Sequence, residues 1–174
     1  LTPADYTAIV VVPTVREFLL ARVNARLAYL SCVASYHVID YLAVAEGRTG
    51  QNKTSSIIDK VISYCDPALR LVQGLCNGTK HAEAGKGPQP GKEQLVGPFA
   101  FGQGGFGVGR FSGPPGLVIP HNGTALYIDE AVQSLLLALA SLYPIHLAAG
   151  AFAFFDEHMR NGHQAAWAGF NAGP

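Results

Sequence analysis

The chain has 174 residues, of which 49% are hydrophobic and 14% charged, and its Lys and Arg together equal its Asp and Glu. A chain of this length buries enough apolar surface for one domain to fold without disulfides or metals. The balanced, scattered charge offers no basic footprint to a nucleic acid, and so few charges for covering a surface point to contacts between copies, a homo-oligomer.

Cys32, Cys65 and Cys76 lie in predicted helices without a CxxC, so they are expected as buried reduced thiols rather than a disulfide framework. The N-x-T sequons at Asn52, Asn77 and Asn122 are glycosylation acceptors only in a secreted chain. Local geometry accounts for the latter two, a helix at Asn77 and a tight turn at Asn122. Pro13, Arg16 and Glu17 interrupt the apolar stretch a signal peptide needs, and a cytoplasmic location is expected. Residues 134–155 contain no Asp, Glu, Lys or Arg and are long enough to span a bilayer. Pro144 and His146 near the centre of this stretch, and its acidic flanks, argue instead for a buried helical hairpin or a subunit interface.

In chain order, Thr2-Pro3 can cap a short helix, while the β-branched run from Ile9 to Val12 leads into Pro13 and leaves the entry open between helix and strand. Thr14-Val15-Arg16-Glu17 has the spacing of a capping box, and the pattern behind it predicts one long helix to about Glu46, before Gly47. Beyond a polar link at 48–53, Ile57, Ile58, Val61, Ile62 and Cys65 recur at helical spacing. Asp66-Pro67 signals the start of a third helix, expected to reach about Ala84. From Gly85 to Gly116 the composition turns to Gly, Pro and Phe, with strand-like pieces near Leu95 and Phe106. Residues 117–128 read as a hairpin around Asn122-Gly123. Asp129 is expected to cap a fourth helix through Tyr143, with helix resuming after Pro144 from Ile145 to Met159. The expected fold is one mainly α domain over 1–174. It is a bundle of four to five helices with a Gly-rich loop and β-hairpin insertion at 85–128, before the penultimate helix, and a tail at 161–174.

Candidate chemistry sits on two helices. His37, Asp40 and Tyr41 share a face, with Arg26 eleven residues before His37, and the interposed Leu30 and Val33 turn that face inward by expectation. Asn77, Lys80 and His81 repeat the spacing, again with an arginine, Arg70, eleven residues before the histidine. If the stripes meet, His37, Asp40, Lys80 and His81 are the catalytic candidates, with Arg26, Tyr41 and Asn77 as ligand contacts. The plainer account is a packing cluster in which each polar group is simply paired. His37, Asp40 and His81, joined by His121 or His146, are the weak candidates for a metal, since no pair has diagnostic ligand spacing. No cofactor is expected: residues 102–107 match GxGxxG, but Val108 to Pro115 gives no helix to hold a pyrophosphate.

The helix end Cys76-Asn77-Gly78-Thr79-Lys80-His81, the Asn122-Gly123 turn and the helix beginning Asp129-Glu130-Ala131-Val132 resemble a group of small uncharacterised bacterial proteins. There an Asn-x-x-Lys-His helix end precedes a hairpin and a further helix. The resemblance covers roughly residues 14 to 143 and implies a bacterial or phage cytosolic protein. It brings no established activity. The bundle is also similar to HEPN domains, many of which are RNases with an Arg and a His separated by four to six residues in a late helix. Here Arg160 and His163 stand too close together for that motif.

Overall fold

The computed structural model describes residues 1–80, 94–96, 116–121, 124–148 and 150–155, with side chains described for all of these except 79, 80, 94–96, 121, 124 and 125. The protein is mainly helical, with a small antiparallel hairpin ahead of its last described helix.

Helix α1, Pro3–Tyr6, starts at a reciprocal cap: Asp5 N donates to the Thr2 hydroxyl at 3.1 Å while Thr2 N donates to the Asp5 carboxylate at 3.1 Å. A π-helical turn, Thr7–Val11, leads into α2, Val12–Leu20. Pro13 has no N–H to return to Ile9, and the wider turn lets Val12 N reach Thr7 O instead. The β-branched run is therefore helical. Thr14 does not start a helix, because its hydroxyl donates back to Val10 O at 2.7 Å from within the helical run.

The single helix expected from Thr14 to Glu46 is two helices. The chain breaks at Ala21 (φ −135°, ψ 54°), and Asn24 accepts from Leu27 N at 3.2 Å to cap α3, Ala25–Ala45. At the far end Gly47, at φ 69°, lets its own N–H reach Val44 O and that of Arg48 reach Ala43 O, which closes the helix. The chain then folds back into α4, Ser55–Cys65, which buries Ile57, Val61 and Cys65. In α5, Ala68–Lys80, the buried set is Leu69, Leu71, Val72, Leu75 and Cys76. Asp66 ahead of α5 receives Arg70 Nε at 3.0 Å.

Strands β1 (Gln94–Val96), β2 (Gly116–His121) and β3 (Thr124–Tyr127) form an antiparallel sheet in the order β1-β2-β3. The pairing of His121 with Thr124 leaves two residues, Asn122-Gly123, between the strands, the loop length that this dipeptide favours. Pro120 lies beyond the β1 pairing, which ends at Val118, so the amide it lacks is not needed on that side. The strand-like piece near Leu95 is β1, and that near Phe106 lies outside the described residues.

Helix α6, Ile128–Leu142, follows β3 directly. Asp129 does not cap it; Tyr127 holds that position without a side-chain bond. Asp129 is buried at 3.1 Å from Arg22 Nη1 instead. Residues 144–147 and 150–153 form turns and bends instead of resumed helix, which returns only at 154–155, so α6 does not run on through 155. Phe152, Phe154 and Phe155 pack together there, with the Arg16 guanidinium 5.0 Å from the Phe154 ring centre. Arg22 meets Asp129 near the starts of α3 and α6, and Glu46 meets His146 past their ends, so these two helices run in the same direction. Among the described residues, α3 is the one helix long and apolar enough to cross a membrane. It packs against α1, α2, α5 and α6.

Candidate functional site

Ten residues of α3 face the core: Leu27, Ala28, Ser31, Cys32, Ala34, Ser35, Val38, Ile39, Leu42 and Ala43. Most are small, which lets the N-terminal helices pack closely, and Ser31 donates to Thr14 O across that contact at 3.3 Å. The stripe of Arg26, Leu30, Val33, His37 and Asp40 therefore faces outward, not inward as its apolar members suggested. Arg26 is exposed, Leu30 is 44% exposed, and Val44 at the end of the stripe is 64% exposed.

On this outer face His37 Nδ1 lies 3.0 Å from Asp40 Oδ2, and Lys53, from the loop beyond α3, places Nζ 3.7 Å from Asp40 Oδ1. Each of the three side chains is about one third exposed. With the carboxylate as acceptor, His37 carries its proton on Nδ1 and presents Nε2 outward from the pair. Water screens such an arrangement, which is worth about 0–1 kcal/mol in stability.

Tyrosines flank the group on its inner side. The Tyr41 ring stacks on Tyr6 with centres 4.2 Å apart, and the Tyr6 hydroxyl donates to Ala34 O at 3.2 Å. Gln73 Nε2 donates to the Tyr36 hydroxyl at 2.8 Å and ties α5 to α3. Burial, reinforced by Tyr41, Cys76 and Asp40, pushes the Tyr6 phenol up to about 12. Burial also raises Tyr36, against the opposing effect of the Gln73 bond. The Cys32 thiol is raised by burial and by Cys76. All three cysteines are buried free thiols, and burial raises the Cys32 and Cys65 thiols, which makes those two poor nucleophiles.

Of the sequence-derived candidates, the structure thus brings together His37 and Asp40, with Tyr41 beside them. Asn77 is exposed on α5. The Lys80 side chain and His81 lie outside the described residues, as do the side chain of His121 and the GxGxxG stretch. No group of three His, Cys, Asp or Glu residues able to hold a metal occurs among the described residues. Sequence reasoning missed Lys53, whose approach depends on the reversal at Gly47, and the Arg22–Asp129 pair, which no local signal announces.

Compared with models of known families, with curated proteins and with solved structures, the chain matches none.

Proposed function

We propose that this is a self-associating helical-bundle protein whose copies pair through the outer face of α3. The observation that carries this reading is the spacing of that face. Arg26, Leu30, Val33, His37, Asp40 and Val44 follow one another at alternating intervals of four and three residues along a helix about 30 Å long. That alternation is the seam of a helix that packs against another helix. In this face Leu30 and Val44 are exposed, Val33 is half-buried, and His37 and Asp40 are already held together.

The occupant that fits is a second copy in antiparallel orientation. A two-fold axis near Val33 sets Leu30 against His37 of the partner subunit and carries Arg26 towards Asp40 of the partner subunit, twice over by symmetry. The face is thus complementary to itself in charge, with its cation at one end and its carboxylate towards the other. His37 and Lys53 fix the orientation of that carboxylate before the partner arrives. The buried free thiols support the cytoplasmic location expected for such a protein.

Sedimentation velocity tests the reading. Wild-type protein is expected as a dimer at micromolar concentrations, and Leu30→Glu as a folded monomer. Substituting Leu137, which is 45% exposed on α6, by Glu is expected to leave the dimer intact. A wild-type monomer, or a dimer indifferent to Leu30→Glu, overturns it.

A further inference from the structure

Near the C-terminal end of α3 a second polar cluster gathers side chains from the end of α3, the following loop, α4 and the segment after α6. His146 Nε2 lies 2.8 Å from Glu46 Oε1, while Arg48 Nη2 stands off at 3.9 Å from Glu46 Oε2. Arg48 Nη1 donates to Ser56 Oγ in the first turn of α4. Lys60 Nζ lies 6.0 Å from the centre of the Tyr143 ring, and Tyr143 feels the charges of both Glu46 and Arg48.

Two features of this cluster call for an acceptor. Arg48 Nε and the Tyr143 hydroxyl are buried donors without a hydrogen-bond partner, and Tyr143 itself is 6% exposed. Buried donors are normally matched, so each of these two calls for an acceptor within the cluster. The charge balance points the same way. Arg48 and Lys60 bring two cations to the described cluster, and the short contact to its carboxylate, Glu46, is made by His146. The N-terminus of α4 adds its own partial positive charge, since Thr54 makes no side-chain cap bond there. The cluster borders solvent, since the Arg48 and Glu46 side chains are each 32% exposed and His146 is 25% exposed, while the two unmatched donors lie on its inner side.

We infer that Arg48, Lys60, Tyr143 and Ser56 form a binding site for the oxyanion group, phosphate or carboxylate, of a small anionic ligand. The guanidinium supplies paired donors, the ammonium a mobile charge, and the phenol a neutral donor from the inner wall. Ser56 holds Arg48 in place, and Glu46, engaged by His146, stays 3.9 Å from the guanidinium. This site is independent of the α3 pairing face and does not require it.

Calorimetric titration with inorganic phosphate, and in parallel with acetate, tests the inference. Phosphate or acetate is expected to bind the wild-type chain at one site and to raise its melting temperature. Arg48→Gln is expected to weaken binding about tenfold or more. Lys60→Gln, at an exposed position, should weaken binding while melting like the wild type, which separates lost binding from lost folding. Arg70→Gln, which lies outside the cluster, should bind as the wild type does. Preference for phosphate assigns a phosphorylated ligand and preference for acetate a carboxylate one, and either supports the site. No binding of either anion up to about 10 mM, or binding that both Arg48→Gln and Lys60→Gln leave intact, overturns it.

Discussion

Tyr6 shows how a single buried phenol couples this fold to pH. Its hydroxyl is satisfied by Ala34 O and its ring by Tyr41, in a setting that opposes ionisation and raises its pKa from 10.0 to about 12. The unfolded chain therefore releases this proton first as pH rises. The stability contributed is fully present below pH 10, declines above it and is lost through about 12. Denaturant melts between pH 8 and 12 should show stability falling over the upper part of that range. Tyr6→Phe should flatten part of the fall, at a cost of about 1 kcal/mol at neutral pH for the lost hydrogen bond. Tyr36, Tyr143 and Cys65, raised in the same direction by burial, should leave the remainder. Arg22 poses the opposite case, a charge kept in the interior beside Asp129. Arg22→Leu removes the cation but leaves the buried carboxylate, and is expected to cost about 3 kcal/mol in a chemical melt.

Among the elements, the hairpin and the positions of α4, α5 and α6 were legible because each carries its own punctuation: Asn122-Gly123, Asp66-Pro67, and apolar residues at helical spacing. The break between α2 and α3 was not, because Ala21-Arg22-Val23-Asn24 holds neither Gly nor Pro and the apolar pattern runs on through it. Asn24 was the available signal, and Thr14 drew the cap assignment in its place. The two can be told apart by mutation: Asn24→Ala should cost about 1 kcal/mol in thermal or chemical unfolding, whereas Thr14→Ala should cost far less, since its hydroxyl only bonds back along the helix. The orientation of α3 was misread for a related reason. Its sequence is apolar nearly all round, so periodicity does not say which stripe is inside, and side-chain size alone points to Leu30 and Val33 as core. The interior instead takes Ala28, Ser31, Cys32 and Ser35, because small side chains allow close helix approach. The juxtaposition of His37 and Asp40 was legible from their spacing of three; their exposure was not.

For the molecule as a whole, that inversion changes what the polar stripe is for. A stripe in the core would only have to be satisfied, whereas one on the surface among exposed apolar side chains presents a pattern to something else. The same outward face belongs to the one described helix apolar enough for a membrane, so recovery of the wild-type chain only in detergent would favour that partner over a second copy. The most direct test uses the proposed charge pairing. Arg26→Glu and Asp40→Arg each set two like-charged contacts across the two-fold axis and should raise the dimer dissociation constant about tenfold to a hundredfold. The double variant R26E/D40R exchanges the charges and should restore dimerisation towards the wild-type value by sedimentation equilibrium, with circular dichroism verifying that each variant is folded. A wild-type chain that stays monomeric, or a double variant that dissociates as readily as the single ones, would contradict antiparallel pairing through α3.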